Sequence, residues 1–111
     1  MAAAVVFGEL VAVSGQVSVD ESGTLVGDGD FVQQSRQCFQ NLQAILTNCG
    51  SSLKGVVQLT TYLADTRHTS EFLALRSEMF PDDPPATTTV IAQLLDPRFL
   101  IEIQAMAVVA P

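Results

Sequence analysis

One run of residues constrains the fold more than any other: Leu100-Ile101-Glu102-Ile103-Gln104-Ala105-Met106-Ala107-Val108. Successive side chains of a strand point to opposite faces, so Ile101, Ile103, Ala105 and Ala107 share one face, and Glu102, Gln104, Met106 and Val108 share the other. The first face is wholly apolar and has to be buried under another layer, which commits the chain to a covered sheet. Glu102 is the exception in the run, because a charge among apolar groups is costly to hold. A carboxylate partly withdrawn from water has a raised pKa and exchanges protons near neutrality, as a general acid or base must. An ion pair, or a solvated edge strand, would accommodate it equally well.

At 111 residues the chain is read as one domain, 1–111. Hydrophobic residues make up 48% against 15% charged, apolar for so small a domain, which predicts that part of the surface meets another subunit. Twelve acidic and five basic side chains leave a net charge of −7, which repels phosphate backbones and speaks against nucleic-acid binding. No apolar run is long enough to span a membrane, and Met1 to Val13 lacks the basic start and cleavage pattern of a secretory leader, so a soluble, cytoplasmic protein is expected. Cys38 and Cys49 lie in one predicted helix, roughly 16 Å apart along its axis, too far to bridge. His68 is the single histidine, and no cluster of metal-ligand spacing is present, so neither metal nor cofactor is expected.

Ala3 to Phe7 and Leu10 to Val13 read as a hairpin turning at Gly8-Glu9, and Val17 to Val19 as a further short strand before the turn Asp20-Glu21-Ser22-Gly23. Asp30 caps a helix over Phe31–Asn48, with Gln33 at its third position and Gly50 beyond its end. Gln33, Gln34, Gln37, Gln40 and Gln43 are expected to form its solvated face. Val56 to Leu63 is a strand rich in β-branched residues. A second helix begins at Asp65-Thr66 and stops at Pro81, Thr87 to Ala92 is a strand, and Asp96-Pro97-Arg98 turns into the Glu102 strand. The order β-β-(β)-α-β-α-β-β gives an α+β domain, with two helices packed on one face of a four- to six-stranded mixed sheet. The other face carries Thr, Met, Gln and Val and predicts burial against further copies of the chain.

With these residues in place, the chain resembles the RidA/YjgF (endoribonuclease L-PSP-like) family of reactive intermediate deaminases. The likeness rests on Ser14-Gly15-Gln16, the helix ending at Gly50, Val56-Val57-x-x-Thr60-Thr61-Tyr62-Leu63-x-Asp65, Phe80, Pro85-Ala86-Thr87 and Ile101-Glu102-Ile103-x-Ala105-Met106-Ala107. It implies a chorismate-mutase-like fold, a homotrimer, and a small-molecule cleft between subunits that hydrolyses imines and enamines such as 2-aminoacrylate to a keto acid and ammonia without a cofactor. By the same resemblance Glu102 is the carboxylate that positions or protonates around the attacking water, and Ser14 and Gly15 form the loop at the cleft.

The chain departs from that pattern in several places. Deaminating members carry an arginine directly after Pro-Ala that grips the substrate carboxylate, where this chain has Thr87. Leu73 stands where many relatives have an asparagine, and the resemblance has the chain begin at the family's second strand, so the N-terminal segment that usually brings a cleft aromatic is expected to be missing. Arg98 is the remaining candidate for positive charge, although an arginine in a surface turn is ordinarily just solvated. Two readings follow: an imine or enamine hydrolase in which Thr87 turns specificity toward an uncharged ligand, and a non-catalytic trimer that binds or senses a metabolite. A ribonuclease or translation-inhibitor role, attached to some relatives, fits the −7 charge poorly.

Overall fold

The computed structural model describes residues 3–109. Its strands are β1 (Ala4–Phe7), β2 (Leu10–Gln16), β3 (Val56–Leu63), β4 (Ala86–Ile91) and β5 (Ile101–Val108), with helices α1 (Phe31–Asn48) and α2 (Thr69–Met79). The strands form one sheet in the order β1-β2-β5-β3-β4. Every pair is antiparallel except β3 and β4, which are parallel and joined through α2. Gly8 alone of the two hairpin residues takes a positive φ, +61°, as a type II′ turn between β1 and β2 requires.

Capping chemistry sets both ends of α1. The Asp30 carboxylate accepts from the Gln33 N–H at 3.0 Å. At the other end Gly50, at φ +77°, lets Ser51 N–H reach Leu46 C=O (2.8 Å) and its own N–H reach Thr47 C=O (3.1 Å), a Schellman closure. A short 3₁₀ turn, Thr66–His68, capped by Asp65, precedes α2, so the regular helix starts later than the sequence pattern indicates. Both helices cover the face of β5 that carries Ile101 and Ile103. Phe39, Leu42, Leu46 and Phe72 are fully buried there against Leu59 and Leu63 of β3. The Phe39 and Phe80 rings meet edge to face at 6.2 Å.

Two expectations fail, each for a hydrogen-bonding reason. Val17 to Val19 makes no strand, only a single bridge from Val19 to Leu25. The Asn41 side-chain amide donates to the Val17 and Val19 carbonyls (3.1 and 2.9 Å), taking the acceptors that a strand partner would have used. Gln34 does not belong to a solvated face; it is 0% exposed. Its amide nitrogen donates to the carbonyls of Gly27 (3.1 Å) and Arg98 (2.9 Å), and its oxygen accepts from Leu100 N–H (2.9 Å). One side chain thus ties the loop before α1 to the entry of β5, satisfying backbone groups that burial would otherwise leave unpaired.

Candidate active site

β5 runs through the middle of the sheet, between β2 and β3, so Glu102 does not lie on an edge strand. Its face of β5 is only partly covered, and the opposite face is buried under the helices. Among the described residues no cation reaches it within ion-pair distance: the ion pairs are Arg36–Glu78, Arg67–Asp65, His68–Glu71 and Arg98–Asp96. Glu102 is therefore on no edge strand, and the described residues give it no ion pair. Burial pushes its pKa above the ordinary carboxylate value.

The β2 strand supplies the floor beneath this carboxylate. Pairing with β5 runs from Leu10↔Val108 to Val13↔Ala105 and resumes at Gln16↔Ile103, so Ser14 and Gly15 together oppose the single residue Gln104. The bulge turns Gly15 toward Glu102: a Cβ built on Gly15 would overlap the Glu102 carboxylate oxygen and lie 2.9 Å from its Cδ. Only a glycine leaves room for the side chain where it stands. The Ser14 hydroxyl and N–H both donate to Ala3 C=O (3.0 and 2.9 Å), which anchors the bulge to the start of β1. Across β5, Tyr62 stands opposite Glu102, and its hydroxyl donates to Gln104 Oε1 at 2.9 Å. Of the residues singled out from the sequence, Glu102 and Gly15 thus meet within one chain, and Ser14 adjoins them in the bulge with its hydroxyl turned to Ala3.

Thr87 does not join them. It pairs with Leu59, whose side chain is buried under the helices, and so projects from the face opposite Glu102. All of β4 is exposed, although α2 reaches it through one side chain. In one chain the two halves of the predicted site lie on opposite sides of the sheet. Arg98 is bound to Asp96 through Nε (3.1 Å) and Nη2 (2.8 Å), and this pairing holds the Asp96 carboxyl down at about 2. It is not free to face a ligand. His68 stacks on Phe31 at 4.5 Å and meets Glu71 at 3.1 Å, a packing role at the start of α2. Cys38 and Cys49 are free thiols; burial, with the Glu102 charge as a lesser cause, pushes Cys38 up to about 12.

One residue that the sequence reading passed over stands beside Thr87. Arg76 of α2 donates from Nη1 to the Thr87 hydroxyl at 3.3 Å, with its guanidinium 5.7 Å from the centre of the Phe72 ring. The signal was available: residues three and four positions away are Phe72, Leu73, Met79 and Phe80, so this arginine has no acidic helix neighbour.

A family model described as Endoribonuclease L-PSP matches residues 2–109. The chain is 35% identical over 105 residues to a RutC family protein of Pyrococcus abyssi, a match that covers 94% of this chain and 82% of that protein. It is also 35% identical over 98 residues to a protein of Acinetobacter baylyi named 3-aminoacrylate deaminase RutC, covering 88% and 78%. Among solved structures, yeast Mmf1 superposes with a TM-score of 0.93 at 28% identity, over 99% of this chain and 87% of that one. A Rid family protein of Yersinia pestis, YyfB, superposes with a TM-score of 0.84 at 31% identity, over 91% and 79%.

Proposed function

The chain belongs to the Endoribonuclease L-PSP family, the RidA/YjgF proteins, and from that premise we propose that it hydrolyses a small reactive imine or enamine in a cleft shared between subunits of a homotrimer. The observation that carries the reading is the Glu102 carboxylate, seated over the Ser14-Gly15 bulge, without an ion-pair partner among the described residues and raised in pKa by burial. An imine becomes electrophilic when its nitrogen is protonated, and the water that attacks carbon must lose a proton. Glu102 serves both steps. Its carboxylic acid gives a proton to the imine nitrogen, and the resulting carboxylate takes one from the attacking water. The carbinolamine then breaks its C–N bond, releasing ammonia and a carbonyl compound. An enamine enters the same sequence after protonation at carbon.

The position of Thr87 supports a shared cleft. Glu102 and Thr87 leave opposite faces of one sheet, so a single copy does not place both around one ligand, while a neighbour's β4 edge packed on the open face does. In this reading Ser14, Gly15 and Thr87 bind substrate and Thr87 alters specificity. The setting is cytoplasmic, which two unbridged cysteines suit. A second reading, a trimer that binds a metabolite without turnover, is favoured by one observation only, the neutral side chain at Thr87.

Two measurements test the proposal. Sedimentation at micromolar concentration should give about three times the 11.8 kDa chain mass, and a monomer there would defeat the shared cleft. Ammonia release from freshly generated 2-aminoacrylate should be accelerated by the native chain and abolished in Glu102→Gln. An unaffected Glu102→Gln rate would remove Glu102 from the mechanism, and trimers that bind ligand without releasing ammonia would establish the second reading.

A further inference from the structure

The charges of this chain are unevenly satisfied. Twelve acidic residues outnumber five basic ones, and three of the five, Arg36, Arg67 and Arg98, hold carboxylates at 2.7, 3.5 and 2.8 Å. Lys54 has no such partner among the described residues but is exposed, where water serves it. Arg76 is different: it is half-buried, yet no carboxylate lies within ion-pair distance among the described residues.

A guanidinium presents five N–H donors in a planar fork. Arg76 uses one of them in the hydrogen bonds of the described residues, in a long contact of 3.3 Å to a neutral hydroxyl. Its guanidinium lies over the Phe72 ring, 5.7 Å from the centroid, and Leu73 and Met79 are its i−3 and i+3 neighbours on the helix. A cation that is partly desolvated, fixed in position and left short of acceptors binds an incoming anion with little loss of side-chain entropy. Its surroundings define that anion. Thr87 and Thr89 bring hydroxyls on the same face of an edge strand whose residues are all exposed, and Leu73, 41% exposed, adds an apolar wall. A fork, hydroxyls and a small apolar surface together suit a carboxylate on a short aliphatic tail.

We propose that Arg76 is the carboxylate-binding, specificity-determining residue of the candidate site, so that the substrate is a small 2-imino acid and not an uncharged imine. This rests on the imine-hydrolase reading and replaces the expectation that Thr87 selects an uncharged ligand. The guanidinium approaches from helix α2, with Thr87 as its hydrogen-bonded rest. The carboxylate site of one copy then faces the Glu102 of the next.

The test compares two imines that differ by a carboxylate, 2-iminopropanoate and ethanimine, generated in situ by an amino-acid oxidase and an amine oxidase. Native protein, Arg76→Gln, Arg76→Lys and the control Arg67→Gln are assayed for ammonia release, and each is titrated with pyruvate by calorimetry at low and high salt. Arg76→Gln should raise KM for 2-iminopropanoate roughly 10- to 100-fold with a smaller change in kcat, leave ethanimine unchanged, and remove pyruvate binding. Arg76→Lys should keep part of both, and Arg67→Gln should match the native chain. Equal KM and equal pyruvate affinity in native and Arg76→Gln would overturn the proposal, as would absence of pyruvate binding to the native chain. Arg76-dependent pyruvate binding with no hydrolysis of either imine would defeat the hydrolase reading and leave the carboxylate site standing.

Discussion

Substituting Gly15 by alanine separates the contribution of the bulge to catalysis from its contribution to folding. The added Cβ would overlap the Glu102 carboxylate oxygen and lie 2.9 Å from Cδ and 3.3 Å from Cγ, against an ordinary contact distance of about 3.5 Å or more. The backbone does not object, because Gly15 is not among the positive-φ residues. What must give way is the end of a partly exposed, flexible side chain. Swinging it off its rotamer costs about 1 kcal/mol, and alanine recovers roughly 0.4–1 kcal/mol by restricting the unfolded chain. The net change in stability should therefore lie within about 1 kcal/mol, a shift of roughly 5 °C or less in Tm. Catalysis is far less tolerant, since moving a reacting group by about 1 Å can cost on the order of 100-fold in rate. Gly15→Ala should melt close to the native chain and release ammonia about 100-fold more slowly. Carboxyl NMR should show Glu102 titrating lower than in the native chain, because the displaced group is better solvated. A full rate, or a melting point lowered by more than about 10 °C, would refute the reasoning.

Further expectations follow from other parts of the fold. The raised pKa of Glu102 means that the fold favours its protonated form: its contribution to stability is complete below the ordinary value of 4.5 and is lost as pH rises through the raised one. Glu102→Gln should consequently resist urea better than the native chain at pH 7 and converge with it at pH 4; an identical gap at both pH values would contradict this. Gln34→Leu strands Leu100 N–H and two carbonyls and should cost about 3 kcal/mol, or roughly 15 °C, in a thermal melt. Cys38, with its thiol pushed up to about 12, should stay unmodified by a thiol reagent at pH 8 until the protein is denatured. Arg98→Ala should bring Asp96 back up from about 2 toward the ordinary value of 3.8, followed by NMR titration.

The elements were legible wherever local chemistry decided them. The β5 alternation, the Asp30 cap, Gly50 beyond α1 and the Gly8 turn each act within a few residues, and each is found where the pattern puts it. Gln34 was misread because periodicity alone does not distinguish a polar side chain facing water from one facing buried backbone. Its position between Phe31 and Cys38, both buried, was the available clue. Val17 to Val19 has strand chemistry but lost its partner to Asn41, a side chain distant in sequence. Within the candidate site, Glu102 stood out as a charge in an apolar strand. The mirror case, Arg76 with apolar neighbours at three and four positions, is not legible in the same way, because its one hydrogen-bond partner, Thr87, lies on another element eleven residues away.

The sheet order also bears on how the protein is made. β5 is the fifth strand to leave the ribosome, yet it occupies the centre of the sheet, with the β1–β2 hairpin on one side and the β3–β4 pair on the other. Without it the β1–β2 hairpin and the β3–β4 pair share no strand, and each would present an unpaired inner edge of the kind that recruits foreign strands. The strand that carries Glu102 therefore closes the sheet as a wedge closes an arch. The five-stranded sheet is complete only once synthesis has passed Val108, so the residue proposed to do the chemistry and the strand that completes the fold come from the same few codons.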